Sequence, residues 1–108
     1  MKRFFITLVF VFSIIFFINQ LSIFAADGSE IYKQRCNRCH GPKGDGKGDI
    51  GKFMNPPPAN YKERLKTISD EQAKHSIKNG KGGMPSFKDT LSEEEIDAVF
   101  GYIKGLAK

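Results

Sequence analysis

The chain has no tryptophan, and only two cysteines among its 108 residues. No stretch alternates apolar and polar residues convincingly, so little or no sheet is expected. No Arg-rich run and no basic face interleaved with aromatics occurs, which argues against nucleic acid as a partner. No internal repeat and no second domain are visible. No uninterrupted apolar run reaches the ~20 residues that a membrane-spanning helix usually needs. The longest, Phe4 to Ile18, is broken only by Thr7 and Ser13.

What is present begins with a leader. Met1-Lys2-Arg3 is a short basic start, the apolar run follows, Asn19 and Gln20 end it, and Ala25-Ala26 offers small residues for cleavage. That order is the order of a secretory signal peptide. Residues 1–25 are therefore expected to be a leader cut after Ala25, with Ile23 at −3, and 26–108 the domain. The rival is an uncleaved anchor extended through Leu21-Ser22-Ile23-Phe24, which would bury Asn19 and Gln20. Either way the domain is expected outside the cytoplasm, periplasmic or otherwise exported, and membrane-anchored if the leader is retained. Removing the leader leaves 83 residues and takes seven of the ten Phe, sparing Phe53, Phe87 and Phe100. So small a domain buries little apolar surface, and usually needs a disulfide, a metal or a cofactor to complete its core. The remaining 15 basic against 12 acidic residues give a mild +3.

Three helices can be read. The first starts near Asp27-Gly28-Ser29, with Asp27 or Ser29 as N-cap, and runs into Cys39. A loop from Gly41 to Asn60 follows, spaced by five glycines and stiffened by Pro56-Pro57-Pro58. Loops this long in a small domain are usually functional. Ser69-Asp70-Glu71-Gln72 has the form of a capping box and opens the second helix, with Ala73 and Ile77 on one face and Asn79-Gly80 at its end. A second loop, Lys81 to Leu91, follows, and Ser92-Glu93-Glu94-Glu95 is another such box. It opens the strongest helix, where Ile96, Val99, Phe100 and Ile103 form an apolar stripe. The expected fold class is all-α.

Cys36-Asn37-Arg38-Cys39-His40 is C-x-x-C-H. Two thiols three residues apart on a helical turn can reach the two vinyl groups on one edge of a haem. The following His can then present its imidazole to the iron. A thioredoxin-like pair would need a βαβ context, which is absent. Zinc would want four ligands, and beyond the motif only His75 is a strong candidate. A disulfide closing so short a loop stabilises little. One haem c, covalent through Cys36 and Cys39 with His40 on its iron, is the expectation. For the sixth position, Met84 in Gly82-Gly83-Met84-Pro85 is the leading candidate: two glycines allow close approach and Pro85 fixes the turn. Met54, His75 or an open site are the alternatives.

Gly28-Ser29-Glu30-Ile31-Tyr32, followed by Lys33-Gln34-Arg35 and the C-x-x-C-H, resembles the first helix of class I cytochromes c, and Gly-Met-Pro resembles that family's Met-ligand loop. The likeness covers residues 27–108. Gly41-Pro42-Lys43-Gly44-Asp45-Gly46 and Gly82-Gly83-Met84-Pro85-Ser86-Phe87 bring it closest to small bacterial mono-haem members related to oxidase subunits and to photosynthetic-type cytochromes. The resemblance implies three or more short helices and long loops wrapped around one haem. It implies that Gly28 and Tyr32 pack against the last helix around Val99, Phe100 and Tyr102. It also implies a proline carbonyl that accepts a hydrogen bond from His40. Pro58, in Pro58-Ala59-Asn60-Tyr61, fits best among the three prolines.

The expected function is single-electron transfer by a His/Met haem, not enzymatic catalysis, in a respiratory or similar chain. A soluble monomer shuttling between exported or membrane-bound partners is expected, with membrane contact only through partners or a retained leader. The alternatives are a dedicated haem subunit of an exported dehydrogenase or oxidase, and a ligand-sensing haem with an open sixth site. Lys43, Lys47, Lys52, Lys81 and Lys88 flank the two loops and are expected to steer an acidic partner surface.

Overall fold

In the computed structural model, residues 1–19 and 25–108 are described. Residues 20–24, the end of the expected leader with Ile23 at the expected −3 position, lie outside the described residues. Helix α1, Lys2–Asn19, carries exposed apolar side chains from Phe4 to Ile15 and touches no other element among the described residues. No helix among the described residues is long and apolar enough to cross a membrane.

The domain is built from helices α2 (Gly28–Arg35), α3 (Asn37–His40), a 3-10 turn (Gly51–Phe53), α4 (Tyr61–Arg64), α5 (Asp70–Asn79) and α6 (Glu93–Leu106). Among the described residues there is no strand, only an isolated antiparallel bridge between Lys81 and Met84. Asp27 is the N-cap of α2, accepting from the Ser29 and Glu30 amides at 3.0 and 3.4 Å. Ser29 instead donates its hydroxyl to Asp27, which removes it as the alternative cap. The expected single helix through Cys39 is broken at Cys36, whose φ of −116° departs from helical geometry. Both capping boxes form completely: Ser69 with Gln72, and Ser92 with Glu95. The short helix α4, capped by Asn60, has too few residues to show a periodicity and was not anticipated.

Helices α2 and α6 form the main contact of the domain. Gly28 permits it: a Cβ there would lie 2.1 Å from the Ala98 carbonyl oxygen. Tyr32 packs beside Tyr102, with ring centroids 5.1 Å apart. Tyr32 and Val99 are essentially sealed from solvent, and Ile96, Phe100 and Ile103 continue the same face of α6. Burial of such side chains is worth about 1.5–3 kcal/mol each. Across the outside of the α5–α6 contact, Lys74 pairs with Asp97, Lys104 with Asp70 and Lys78 with Glu93. Exposed pairs of this kind contribute about 1 kcal/mol at most.

Candidate functional site

The break at Cys36 turns α3 so that Cys36, Cys39 and His40 face a cavity of about 460 Å³. That volume lies within the range of small-molecule and cofactor sites, roughly 300–1,000 Å³. Its wall is mostly apolar. Ile77 of α5 and Phe100 and Ile103 of α6 supply one part; Pro56, Pro57, Pro58 and Ala59 of the first loop supply another; Met84, Pro85 and Phe87 of the second loop a third.

His40 is 9% exposed. Its Nδ1 lies 3.2 Å from the Ala59 carbonyl oxygen. A carbonyl can only accept, so Nδ1 carries the proton and Nε2 keeps its lone pair. Burial lowers the His40 pKa, and the Ala59 carbonyl opposes this only in part; the ring is a neutral imidazole near pH 7. It stacks on Tyr61, centroids 4.6 Å apart at 19°. The loop beneath is held close: the Gly46 amide donates to the His40 carbonyl at 2.8 Å and the Gly48 amide to that of Cys39 at 3.1 Å. The Tyr32 hydroxyl donates to the Gly41 carbonyl at 2.5 Å.

The two cysteines are not joined to each other. Burial pushes the Cys36 thiol up to about 11, with the charge of Cys39 adding to it. Among the described residues, no group of three His, Cys, Asp or Glu could hold a metal ion. The donor set instead fits a haem: two separate thiols beside a neutral imidazole, on the wall of an apolar cavity.

Cys36, Cys39, His40, Met84 and Pro58 all line this cavity. One assignment needs correction. The carbonyl that accepts from His40 is that of Ala59, not Pro58. The Pro58 carbonyl is turned toward Gly46, where a Cβ would lie 2.4 Å from it. Alternate carbonyls of an extended segment point to opposite sides, so one residue of register decides which of them reaches the ring. Of the competing iron ligands, Met54 is half-buried on the cavity wall. His75 is exposed, away from it, with its Nδ1 accepting from the Asn79 amide at 3.1 Å. Of the five flanking lysines only Lys81 lines the cavity. Reading the sequence missed Tyr61, Arg35 and Arg64, which also line it. Arg35 directly precedes the first cysteine, and that adjacency was the available signal.

A helical domain closing an apolar cavity over C-x-x-C-H is a c-type cytochrome. Residues 24–103 match the family described as cytochrome c oxidase, cbb3-type, subunit III, and the chain belongs to that family of c-type cytochrome domains. It is 36% identical over 81 residues to cytochrome c-555 of Methylococcus capsulatus, covering 73% of this chain. The match spans 59% of the length of that relative. It is 33% identical over 81 residues to cytochrome c6 of Leptolyngbya boryana, covering 73% of this chain and 88% of the relative. Among solved structures it is similar to the KustC0563 c-type cytochrome, with a TM-score of 0.66 and 30% identity over 76% of this chain and 99% of the other. It is also similar to a chain of the Kuenenia stuttgartiensis reducing HAO-like protein complex Kustc0457/Kustc0458, with a TM-score of 0.62 and 26% identity over 73% of this chain and 40% of the other. The cofactor of such a protein is covalent haem c with its iron, and its function is electron transfer with redox partners.

Proposed function

We propose that Cys36 and Cys39 would carry the haem through thioether bonds, that His40 and Met84 would ligate its iron, and that the protein is an electron shuttle rather than an enzyme. The observation that carries this reading is that both thiols, the neutral imidazole and the Met84 side chain share the wall of one apolar cavity. When bound, the haem iron supplies a one-electron Fe(III)/Fe(II) couple. The polypeptide supplies the rest. The Ala59 carbonyl orients His40 and raises its basicity. The thioether of Met84, a soft donor, favours Fe(II) and raises the potential. The apolar wall excludes water, which keeps the reduced, less charged site favoured. An absorption spectrum of the oxidised holoprotein tests the sixth ligand. Native protein should show the weak long-wavelength sulfur-to-iron band and Met84→Ala should lose it; an unchanged spectrum in Met84→Ala removes the assignment.

Export with removal of residues 1–25 belongs to the same reading. Among the described residues helix α1 makes no contact with another helix, so its loss should leave the core intact. The mass of the purified exported protein reports leader cleavage and covalent haem together.

The partner surface is proposed to be acidic. Lys74, Lys78 and Lys104, on α5 and α6, are each paired with carboxylates. Arg35, Arg64 and Lys81 line the cavity and have no carboxylate partner among the described residues. Phe53 stands 82% exposed on the adjoining turn, with the Lys52 Nζ 5.3 Å from its ring. Electron transfer to an acidic partner should slow as ionic strength rises; a rate indifferent to salt removes the acidic-partner proposal. A second reading, a dedicated subunit of a redox complex, draws on the oxidase-subunit description of the family and on the complex named above. Stoichiometric co-purification at high salt would favour it over a free shuttle.

A further inference from the structure

The first loop and the second loop are far apart in sequence, and one side chain joins them at the cavity. A Cβ built on Gly83 would find a single neighbour within 4 Å, the Cε methyl of Met54 at 3.1 Å. Met54 is half-buried and lines the same cavity as Met84, the residue after Gly83. Its own backbone is held: its amide donates to the Gly51 carbonyl at 3.0 Å, and Gly51 is pressed so closely on Cys39 that a Cβ would lie 1.9 Å from the Cys39 carbonyl oxygen. The backbone at the tip that carries Met84 bonds to itself, while the Met84 side chain packs at the edge of the core. The Lys81 amide donates to the Met84 carbonyl at 3.1 Å and the Met84 amide to the Lys81 carbonyl at 3.0 Å. At Gly82 no atom lies within 4 Å of where a Cβ would be.

We infer that Met54 is a positioning residue for the sixth ligand: its methyl is the strut that transfers the rigidity of the Cys39–Gly51 contact to Gly83 and so holds the Met84 thioether at the iron. The inference rests on Met84 being that ligand. Methionine suits the task because its unbranched, polarizable end fills an irregular gap between two backbones.

The test uses oxidised holoprotein titrated with imidazole, which competes for the sixth position. Met54→Ala should bind imidazole about tenfold more tightly than native protein and lower the reduction potential, while Met54→Leu, which restores apolar volume, should stay near native. Met84→Ala should bind imidazole tightest, and adding Met54→Ala to it should change nothing further. Native imidazole affinity in Met54→Ala, even with a lowered thermal midpoint, overturns the strut and leaves Met54 a packing residue. A sulfur-to-iron band that survives in Met84→Ala but disappears in the double variant makes Met54 a ligand and also overturns it. If Met84→Ala itself has native spectrum and native imidazole affinity, it is the ligand assignment beneath the inference that fails.

Discussion

The two loops that wall the cavity are built on opposite plans. The first is bound to its surroundings: His40, Cys39 and Arg38 each accept through their carbonyls from Gly46, Gly48 and Ile50, and the Tyr61 amide donates to the Gly44 carbonyl at 2.9 Å. The backbone of the second is hydrogen-bonded to the rest of the domain beyond its tip, where the Phe87 amide donates to Ile77 and the Ser86 hydroxyl to Lys78. Around Met84 it holds itself with two reciprocal bonds across four residues. The difference fits the chemistry proposed for each loop. A covalent attachment with an oriented imidazole gains from a fixed backbone, whereas a thioether ligand is exchangeable and its bond can be tuned by how firmly one short segment is held.

The comparison can be broken most severely at the attachment itself. Replacing both Cys36 and Cys39 by Ala should abolish covalent haem and leave a chain without cooperative unfolding, because the cavity removes the centre of an already small core. Mass spectrometry and circular dichroism read both effects; a cooperatively folded haem-free variant would contradict the cofactor's role in the core. Next in size is the same substitution made on each loop. Gly51→Ala sets a methyl into the Cys39 carbonyl and should cost about 3 kcal/mol in denaturant unfolding of the holoprotein. Gly82→Ala meets no neighbour and should cost only about 1 kcal/mol, the strain of its positive φ of 58°. Equal losses would mean the two loops are equally constrained. Ser92→Ala, which removes a complete capping box from α6, should cost about 1 kcal/mol while leaving the haem spectrum unchanged.

The smallest expected effect lies outside both loops. The Ser29 hydroxyl and the Glu30 amide hold the exposed Asp27 carboxyl below its ordinary 3.8. A lowered folded-state pKa contributes stability above the unfolded value and loses it as pH falls through the folded one. Asp27→Ala should therefore lower the thermal midpoint slightly at pH 7, and the gap from native protein should close as pH drops below about 3.8.

Much of this molecule was legible because much of it is local. Both capping boxes and the stripe of Ile96, Val99, Phe100 and Ile103 are relations within four residues, which sequence spacing states directly. The C-x-x-C-H was equally plain. The break at Cys36 was not, because it is a single backbone torsion inside a run that is otherwise helical. Helix α4 was too short to announce itself, and Met54 stood only as an alternative iron ligand, with nothing in the spacing to bring it to Gly83.

By itself, then, the sequence determined the capped helices α5 and α6, the start of α2, the attachment motif and the two methionines available to an iron. Only the tertiary structure decided that Ala59, not Pro58, turns its carbonyl to His40, that Met54 meets Gly83, and that Arg35 and Arg64 stand on the cavity wall. Those contacts join residues 19 or more apart, or depend on which way one side chain leaves a loop. Helix caps are settled by bonds a few residues long. The path of a closed loop is settled by where its ends are held, and that depends on how α2, α5 and α6 pack around the site.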